Sequence, residues 1–114
     1  MKDIAGMVRS FSYAAYVGLF TFSLHASSDY TRLEAWGDNW QHSVSEAFTG
    51  SYRETLADNS AGRALVPDDD AAWTTMLRAY AMDKALYELR YELDHRPEWV
   101  RIPLIGILKL VNLG

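Results

Sequence analysis

The sequence contains no cysteine, and this absence excludes two kinds of stabilising site. Without thiols, the 114-residue chain forms neither a disulfide framework nor a thiolate metal site. The same absence is compatible with a reducing compartment, and we expect a cytoplasmic protein. Basic charge is also scarce, because the formal net charge is −4 and no basic patch or stripe is visible. We therefore expect no nucleic-acid partner.

Familiar catalytic patterns are missing as well. The chain has no Gly-rich phosphate loop and no Gly-x-Ser-x-Gly motif, so it shows no complete catalytic apparatus. Neither strand alternation, nor an internal repeat, nor a low-complexity segment is visible. With 49% hydrophobic and 23% charged residues, the composition is that of an ordinary globular protein. The length predicts one domain, comprising residues 1–114, with a thin core.

Charge is absent between Arg9 and Asp29, where the segment YAAYVGLFTFSL is apolar. Three interpretations are open: a helix buried in the domain, a signal peptide with LHASS as its cleavage site, or a membrane span. Asp3 lies where a signal peptide should be positive, and the run is short for a span, which needs ~20 predominantly apolar residues. We favour the buried helix and expect no membrane partner. Because apolar residues occupy nearly all its faces, this helix should lie in the middle of the fold.

Spacing of apolar residues predicts an all-α fold. We expect an antiparallel bundle of three long helices, at 2–26, 30–57 and about 68–95, and a short C-terminal helix at 103–112. Residues 58–67 form the main loop. Capping residues are expected at Ser27, Ser28 and Asp29 before the second helix, and at Asp68, Asp69 and Asp70 before the third. The second helix carries an apolar stripe of Leu33, Trp36, Trp40, Val44, Ala47, Phe48 and Tyr52.

The most distinctive stretch is 84–104, KALYELRYELDHRPEWVRIPL. Four apolar residues at spacings of four, three and four predict a seam that packs inward: Met82, Leu86, Leu89 and Leu93. The opposite face mixes aromatic rings, carboxylates and cations: Lys84, Tyr87, Glu88, Tyr91 and His95, with Glu92 beside them. Such a face suits a carbohydrate, because aromatic rings pack on pyranose faces and carboxylates accept hydrogen bonds from hydroxyls. Pro97 ends the helix, and Trp99, Ile102 and Leu104 anchor its exit.

Two other interpretations of this face remain open. In the first, it is a structural surface in which Glu88 pairs with Lys84 and Glu92 pairs with Arg96. In the second, Glu88, Glu92 and His95 bind a metal, as in di-iron bundles. Those sites need two Glu-x-x-His motifs and further glutamates, and only one motif occurs here. We therefore expect no metal site; the remaining histidines, His25 and His42, are isolated.

Two blocks of the sequence, MKDIAGMVRSFSYAAYVG and KALYELRYELDHRPEWVRIPLIGILKL, resemble the C-terminal part of bacterial maltokinases. The segment AWGDNWQHSVSEAFTGSYRE lies between them, in the order expected, and the resemblance covers essentially the whole chain. Maltokinases have a protein-kinase-like fold, similar to that of aminoglycoside phosphotransferases. They make maltose 1-phosphate from maltose and ATP, on the route from trehalose to glycogen and α-glucan, and are often fused behind trehalose synthase.

The resemblance implies that the chain is the helical part of a kinase C-lobe and is inactive alone. The catalytic, ATP-binding and Mg²⁺-binding segments of the family precede the block that starts at Asp3. The chain should thus hold no catalytic residue and no cofactor of its own. Its partners would be the N-terminal kinase segments or a trehalose synthase domain. Maltose or a related glucoside would contact Lys84, Tyr87, Glu88, Tyr91 and Glu92, with His95 and Arg96 at the edge, and with Asp3 and Arg9 as structural support.

A function of another class is also open. The apolar first helix is compatible with a stand-alone interaction module that forms a homodimer or binds another protein, without a small-molecule ligand.

Overall fold

The structure, a computed structural model, describes residues 1–22 and 28–112. Within these ranges it consists of helices and loops, with no strand, and the prediction of an all-α fold is confirmed. The elements are α1 (Lys2–Phe22), α2 (Ser28–Ala57), α3 (Ser60–Arg63), α4 (Asp70–His95), a 3₁₀ turn (Pro97–Trp99) and α5 (Arg101–Asn112). The predicted end of the first helix at residue 26, together with Ser27 and His25, lies outside the described residues. The predicted loop at 58–67 contains α3, a single helical turn.

Polar residues and prolines set the boundaries of α4. The Asp69 carboxylate accepts a hydrogen bond from the backbone N–H of Ala72 at 2.8 Å, and it is the N-cap of this helix. The adjacent Asp70 forms an ion pair with Arg53 of α2 at 2.8 Å. At the other end α4 stops at His95, with Arg96 as its C-cap, before Pro97 opens the 3₁₀ turn. The capping interpretation of the aspartates is confirmed for Asp69.

Helix α1 lies in the middle of the fold, in contact with α2, α4 and α5. It runs antiparallel to α2, because Phe11 contacts Phe48 while Tyr16, further along α1, contacts the earlier Asp38. It runs parallel to α4, because Arg9 and Tyr13 bond to residues 88 and 92 in the same order. This parallel pair is compatible with the predicted antiparallel bundle, in which successive long helices alternate in direction. In an up-down-up succession the third long helix returns to the direction of the first.

The apolar core lies towards the C-terminal end of α1. Tyr16 and Leu19 of α1 pack with Tyr30 of α2 and with Ile102 of α5, which is fully buried. The aromatic or aliphatic side chains around this cluster are partly buried: Tyr13, Val17, Phe20, Trp99 and Ile105. The fold is elongated, since its radius of gyration is 15.5 Å, against about 13 Å for a compact chain of this length. The sequence thus builds a thin core, as its length predicts.

The interpretation of the apolar N-terminal segment as a helix within the domain agrees with its packing. Ile4 and Ala5 are almost completely buried, at 0% and 1% exposure, and Tyr16 and Leu19 belong to the core. Across residues 1–22 and 28–112, no helix has both the length and the apolar character needed to cross a bilayer.

The predicted leucine seam of α4 does not pack inward, and this prediction is wrong. Leu86 is 51% and Leu93 is 58% exposed, and Leu89 is only half-buried. The buried stripe has the same spacing of four, three and four, but it starts one residue earlier, which turns it by ~100° on the helix. Its members are Ala81, Ala85, Glu88 and Glu92. The two alanines let α4 approach its neighbours closely, and the two glutamates find partners there.

The predicted apolar stripe of α2 is also displaced from the interface. Trp36 is 73% exposed and Trp40 47%, so the first half of this stripe does not pack on the bundle. Gly37 faces α1 instead, and a Cβ built there would lie 3.9 Å from the Cβ of Ala15. Tyr16 of α1 donates to both Glu34 and Asp38 at 3.3 Å. α2 therefore places polar groups against α1, as α4 does.

Candidate functional site: a tyrosine groove between α1 and α4

A groove of about 310 Å³ lies where α1 and α4 run side by side. Small side chains of α1 leave the space, and large side chains from the C-terminal half of α4 and the residue after it form the other wall. The lining residues are Gly6, Ser10 and Tyr13 on α1 and Lys84, Tyr87, Glu88, Tyr91 and Arg96 on the α4 side. Five of the seven residues for which we expected sugar contact thus lie in one groove.

The outer wall of the groove is aromatic. The rings of Tyr87 and Tyr91 lie at 21° to each other with centroids 6.5 Å apart, one helical turn apart on α4. Lys84 Nζ lies 5.0 Å from the centre of the Tyr87 ring, and the guanidinium carbon of Arg96 lies 5.5 Å from that of Tyr91. Both rings are well exposed, at 61% and 41%. The wall therefore offers flat apolar surfaces flanked by two cations.

The floor of the groove carries a buried ion pair. Arg9 Nε donates to Glu88 Oε1 at 2.7 Å, and the two residues are only 4% and 8% exposed. Gly106 of α5 makes room for the guanidinium, because a Cβ at this position would lie 2.8 Å from Arg9 Cζ. Burial raises the pKa of Glu88, while the charge of Arg9 lowers it; the net shift is upward. Arg9 thus supports the groove residue Glu88.

The second carboxylate, Glu92, lies beneath the groove and does not line it. It is fully buried, and its oxygens accept from Tyr13 Oη at 2.9 Å and from Arg96 Nε at 2.8 Å. Burial, followed by this hydrogen bond to Glu92, raises the pKa of Tyr13 well above its usual range. The Glu92 hydrogen bond also raises the pKa of Arg96. Glu92 therefore holds one residue of each wall in place.

The remaining predicted residues lie outside the lining. His95 extends the aromatic stack, with its ring 4.3 Å from that of Tyr91, and its Nδ1 lies 2.9 Å from the Tyr91 carbonyl oxygen. Asp3 is exposed in the first turn of α1, where it borders a neighbouring depression together with Lys84.

The interpretation of this face as a surface of paired charges is correct for one of its two predicted pairs. Arg96 bonds to Glu92 at i,i+4 spacing as proposed. Glu88 instead pairs with Arg9, 79 residues away in the chain, and Lys84 lies over Tyr87. Within the part of the chain that the structure describes, no group of three His, Asp or Glu residues is placed to hold a metal ion.

Sequence reasoning missed the α1 wall. Tyr13 fills one face of an apolar helix in the sequence, and only the packing of α1 beside α4 makes it a groove residue. Its hydroxyl is the one available signal, because a buried tyrosine usually needs a hydrogen-bond partner. Nothing in the sequence marks Gly6 and Ser10 as groove residues, because they contribute to the groove only through their small size.

No protein-family model matches the chain, and no solved structure matches it either.

Proposed function

We propose that this chain is the acceptor-sugar-binding helical part of a maltokinase-like sugar kinase, and that maltose or a related glucoside binds in the groove between α1 and α4. The parent enzyme would transfer a phosphoryl group from ATP to the sugar and form maltose 1-phosphate. The observation that carries the proposal is the meeting of two exposed, stacked tyrosines with a carboxylate and two cations in one groove.

The chemistry of the groove suits a polyhydroxylated ring. Tyr87 and Tyr91 offer apolar surfaces on which the C–H faces of a pyranose can pack. Glu88 uses Oε1 for Arg9, and among the described residues none donates to its Oε2, which is therefore available to a sugar hydroxyl. Lys84 and Arg96 carry N–H groups for ring and hydroxyl oxygens. A volume of about 310 Å³ lies at the lower end of the range for small-molecule sites, about 300–1,000 Å³.

Phosphoryl transfer itself is not assigned to these residues. It requires nucleotide, Mg²⁺ and a base held together. The two carboxylates of this region are already bonded to Arg9, Tyr13 and Arg96, which makes them a poor set of Mg²⁺ ligands. The proposal therefore limits the role of this chain to binding and orienting the acceptor. The phosphate-handling groups would come from segments outside these 114 residues.

Calorimetric titration of the full chain with maltose tests the proposal. Tyr87→Ala and Tyr91→Ala should each weaken maltose binding about two- to tenfold, because ring contacts of this kind contribute about 0.5–1.5 kcal/mol. Tyr80→Ala is the matched control: this tyrosine is also on α4, is 39% exposed and lies outside the groove. It should bind maltose like the wild type.

The parent kinase gives a second readout. Glu88→Gln or Tyr91→Ala should raise the KM for maltose and leave the KM for ATP unchanged. An unchanged maltose KM in both variants, or equal losses of binding in the groove variants and in Tyr80→Ala, would overturn the site.

A second candidate function, self-association with another copy of the chain, is favoured by the exposed apolar stripes. Trp36 is 73% exposed on α2, Leu93 58% on α4 and Leu108 60% on α5. Exposed apolar side chains that join in one patch mark an interaction site. α1, whose apolar character suggested association, packs against α2, α4 and α5, and among its described side chains Met7 is the most exposed large apolar residue, at 41%. Sedimentation velocity decides: a dimer that Trp36→Lys or Leu108→Lys dissociates supports the second function, and a compact monomer at all concentrations opposes it.

A further inference from the structure

A second cavity, of about 250 Å³, lies where all four longer helices meet. α1 contributes Arg9 and Ser12, α2 contributes Asp38, Gln41, His42 and Ser45, and α4 contributes Ala81. α5 closes the cavity with Gly106, Lys109 and Leu110; Val8 completes the lining. None of these residues lines the tyrosine groove.

Three of the lining side chains carry a buried polar atom that has no hydrogen-bond partner among the described residues. These atoms are Arg9 Nη2, Gln41 Oε1 and Ser45 Oγ. The most telling is the guanidinium, because Arg9 is only 4% exposed and only its Nε is used by Glu88. Buried polar groups are nearly always hydrogen-bonded, and a buried donor without a partner is costly. The presence of three such unpaired atoms around one cavity indicates that a polar ligand or water occupies it.

The unused donors of the cavity favour an anion over a cation. Arg9 directs its outer nitrogens towards α5, where Gly106 leaves the space for them. Lys109 Nζ bonds to Asp38 at 2.6 Å, and an ammonium group has three donors, so two remain. The Ser45 hydroxyl can donate as well. Asp38 is the acidic residue of the lining and pairs with Lys109, as Glu88 pairs with Arg9, so an anion would be held by the remaining donors and not by a net positive charge.

We propose that this cavity binds a small oxyanion, phosphate or carboxylate, held by Arg9, Ser45 and Lys109. Arg9 is the anchoring cation, because its guanidinium is positioned by Glu88 and presents paired N–H groups that match an oxyanion. Gln41 lies beside them and can present its amide nitrogen or oxygen. The site does not rest on the proposed function: Arg9 touches the sugar groove through its Nε bond to Glu88, but no residue that lines the groove lines this cavity.

Titration of the full chain with inorganic phosphate and, separately, with acetate tests the site by calorimetry. Ser45→Ala and Lys109→Gln should each weaken binding about tenfold, because each removes a hydrogen bond to a charged group. Ser43→Ala is the matched control on the exposed side of α2, and it should bind like the wild type. Tighter binding of phosphate than of acetate would identify a phosphoryl ligand, and the reverse order a carboxylate.

Gly106→Ala sharpens the test, because its methyl group would displace the guanidinium; binding should be lost in this variant. Should it fail to fold, the Ser45 and Lys109 variants still decide. Saturable binding that falls in both and persists in Ser43→Ala supports the site. The proposal is overturned if neither anion binds the wild type, which would make the cavity a water site, or if binding is the same in all variants. Titration of the same variants with maltose tests the sugar groove separately from the anion cavity.

Discussion

Two neighbouring stripes of α4 meet opposite environments. Ala81, Ala85, Glu88 and Glu92 lie against the rest of the bundle, whereas the stripe one residue further on, with Leu86 and Leu93, is more than half exposed. Both stripes have the same spacing along the helix. The difference between them lies in the partners available, because α1 presents Arg9 and Tyr13 to the two carboxylates.

The polar stripe of α4 is buried because its carboxylates find partners, and not because it is hydrophobic. A buried ion pair contributes little net stability relative to apolar residues of the same shape, but removing one partner is costly. Each buried carboxylate here has its own partners: Arg9 for Glu88, and Tyr13 and Arg96 for Glu92. The register between α1 and α4 therefore depends on two polar contacts four residues apart.

The largest effect should come from removing one partner of the floor pair. Glu88→Ala leaves Arg9 buried without its carboxylate, and we expect the free energy of unfolding to fall by about 3–5 kcal/mol. Urea denaturation followed by circular dichroism measures it. Asp94→Ala, an exposed acid on the same helix, is the control and should change stability by less than ~0.5 kcal/mol. Equal losses in the two variants would show that the polar stripe is no more important than the surface.

Glu92→Gln should have the next largest effect. The amide keeps the shape and one acceptor oxygen but loses the charge that holds Arg96, so we expect a loss of about 1.5–3 kcal/mol. Glu98→Gln changes an exposed carboxylate nearby and serves as the control. A loss no larger than that of Glu98→Gln would contradict the role of Glu92 beneath the groove.

The pH dependence of stability should show the burial of Glu88, with a smaller effect because the side chain stays in place. The pKa of the Glu88 carboxyl is higher in the folded state than in the unfolded state, so the unfolded state releases the carboxyl proton at a lower pH. The contribution of Glu88 is full below its unfolded pKa and is lost as pH rises through the folded value. Relative to Glu88→Gln, the wild type should therefore gain stability as pH falls across that window. A difference that shrinks on acidification would contradict the upward shift.

The smallest effect is expected on the exposed stripe. Leu93→Lys should change the free energy of unfolding by less than ~0.5 kcal/mol, as surface substitutions do. Ala85→Leu, on the buried stripe, should cost about 1–3 kcal/mol by overpacking. If Leu93→Lys instead cost several kcal/mol, the leucine stripe would be the packed one.

Much of the secondary structure follows from the sequence because its signals are local. Asp69 caps α4 through a backbone N–H three residues away, and Pro97 marks the end of the same helix. The candidate groove was predictable for its α4 side, because Lys84, Tyr87, Glu88 and Tyr91 share one face by helical spacing alone. Its α1 side was not, because Gly6, Ser10 and Tyr13 join it only through contacts between distant segments.

The sequence by itself determined that this protein is helical, where α2, α4 and α5 begin and end within a few residues, and that the apolar α1 belongs in the middle. Only the tertiary structure decided which stripe of α4 turns inward. Two stripes that differ by one residue are ~100° apart on a helix and equally regular, so spacing does not choose between them. The choice depends on Arg9, 79 positions from Glu88, whose buried charge needs a carboxylate at that place.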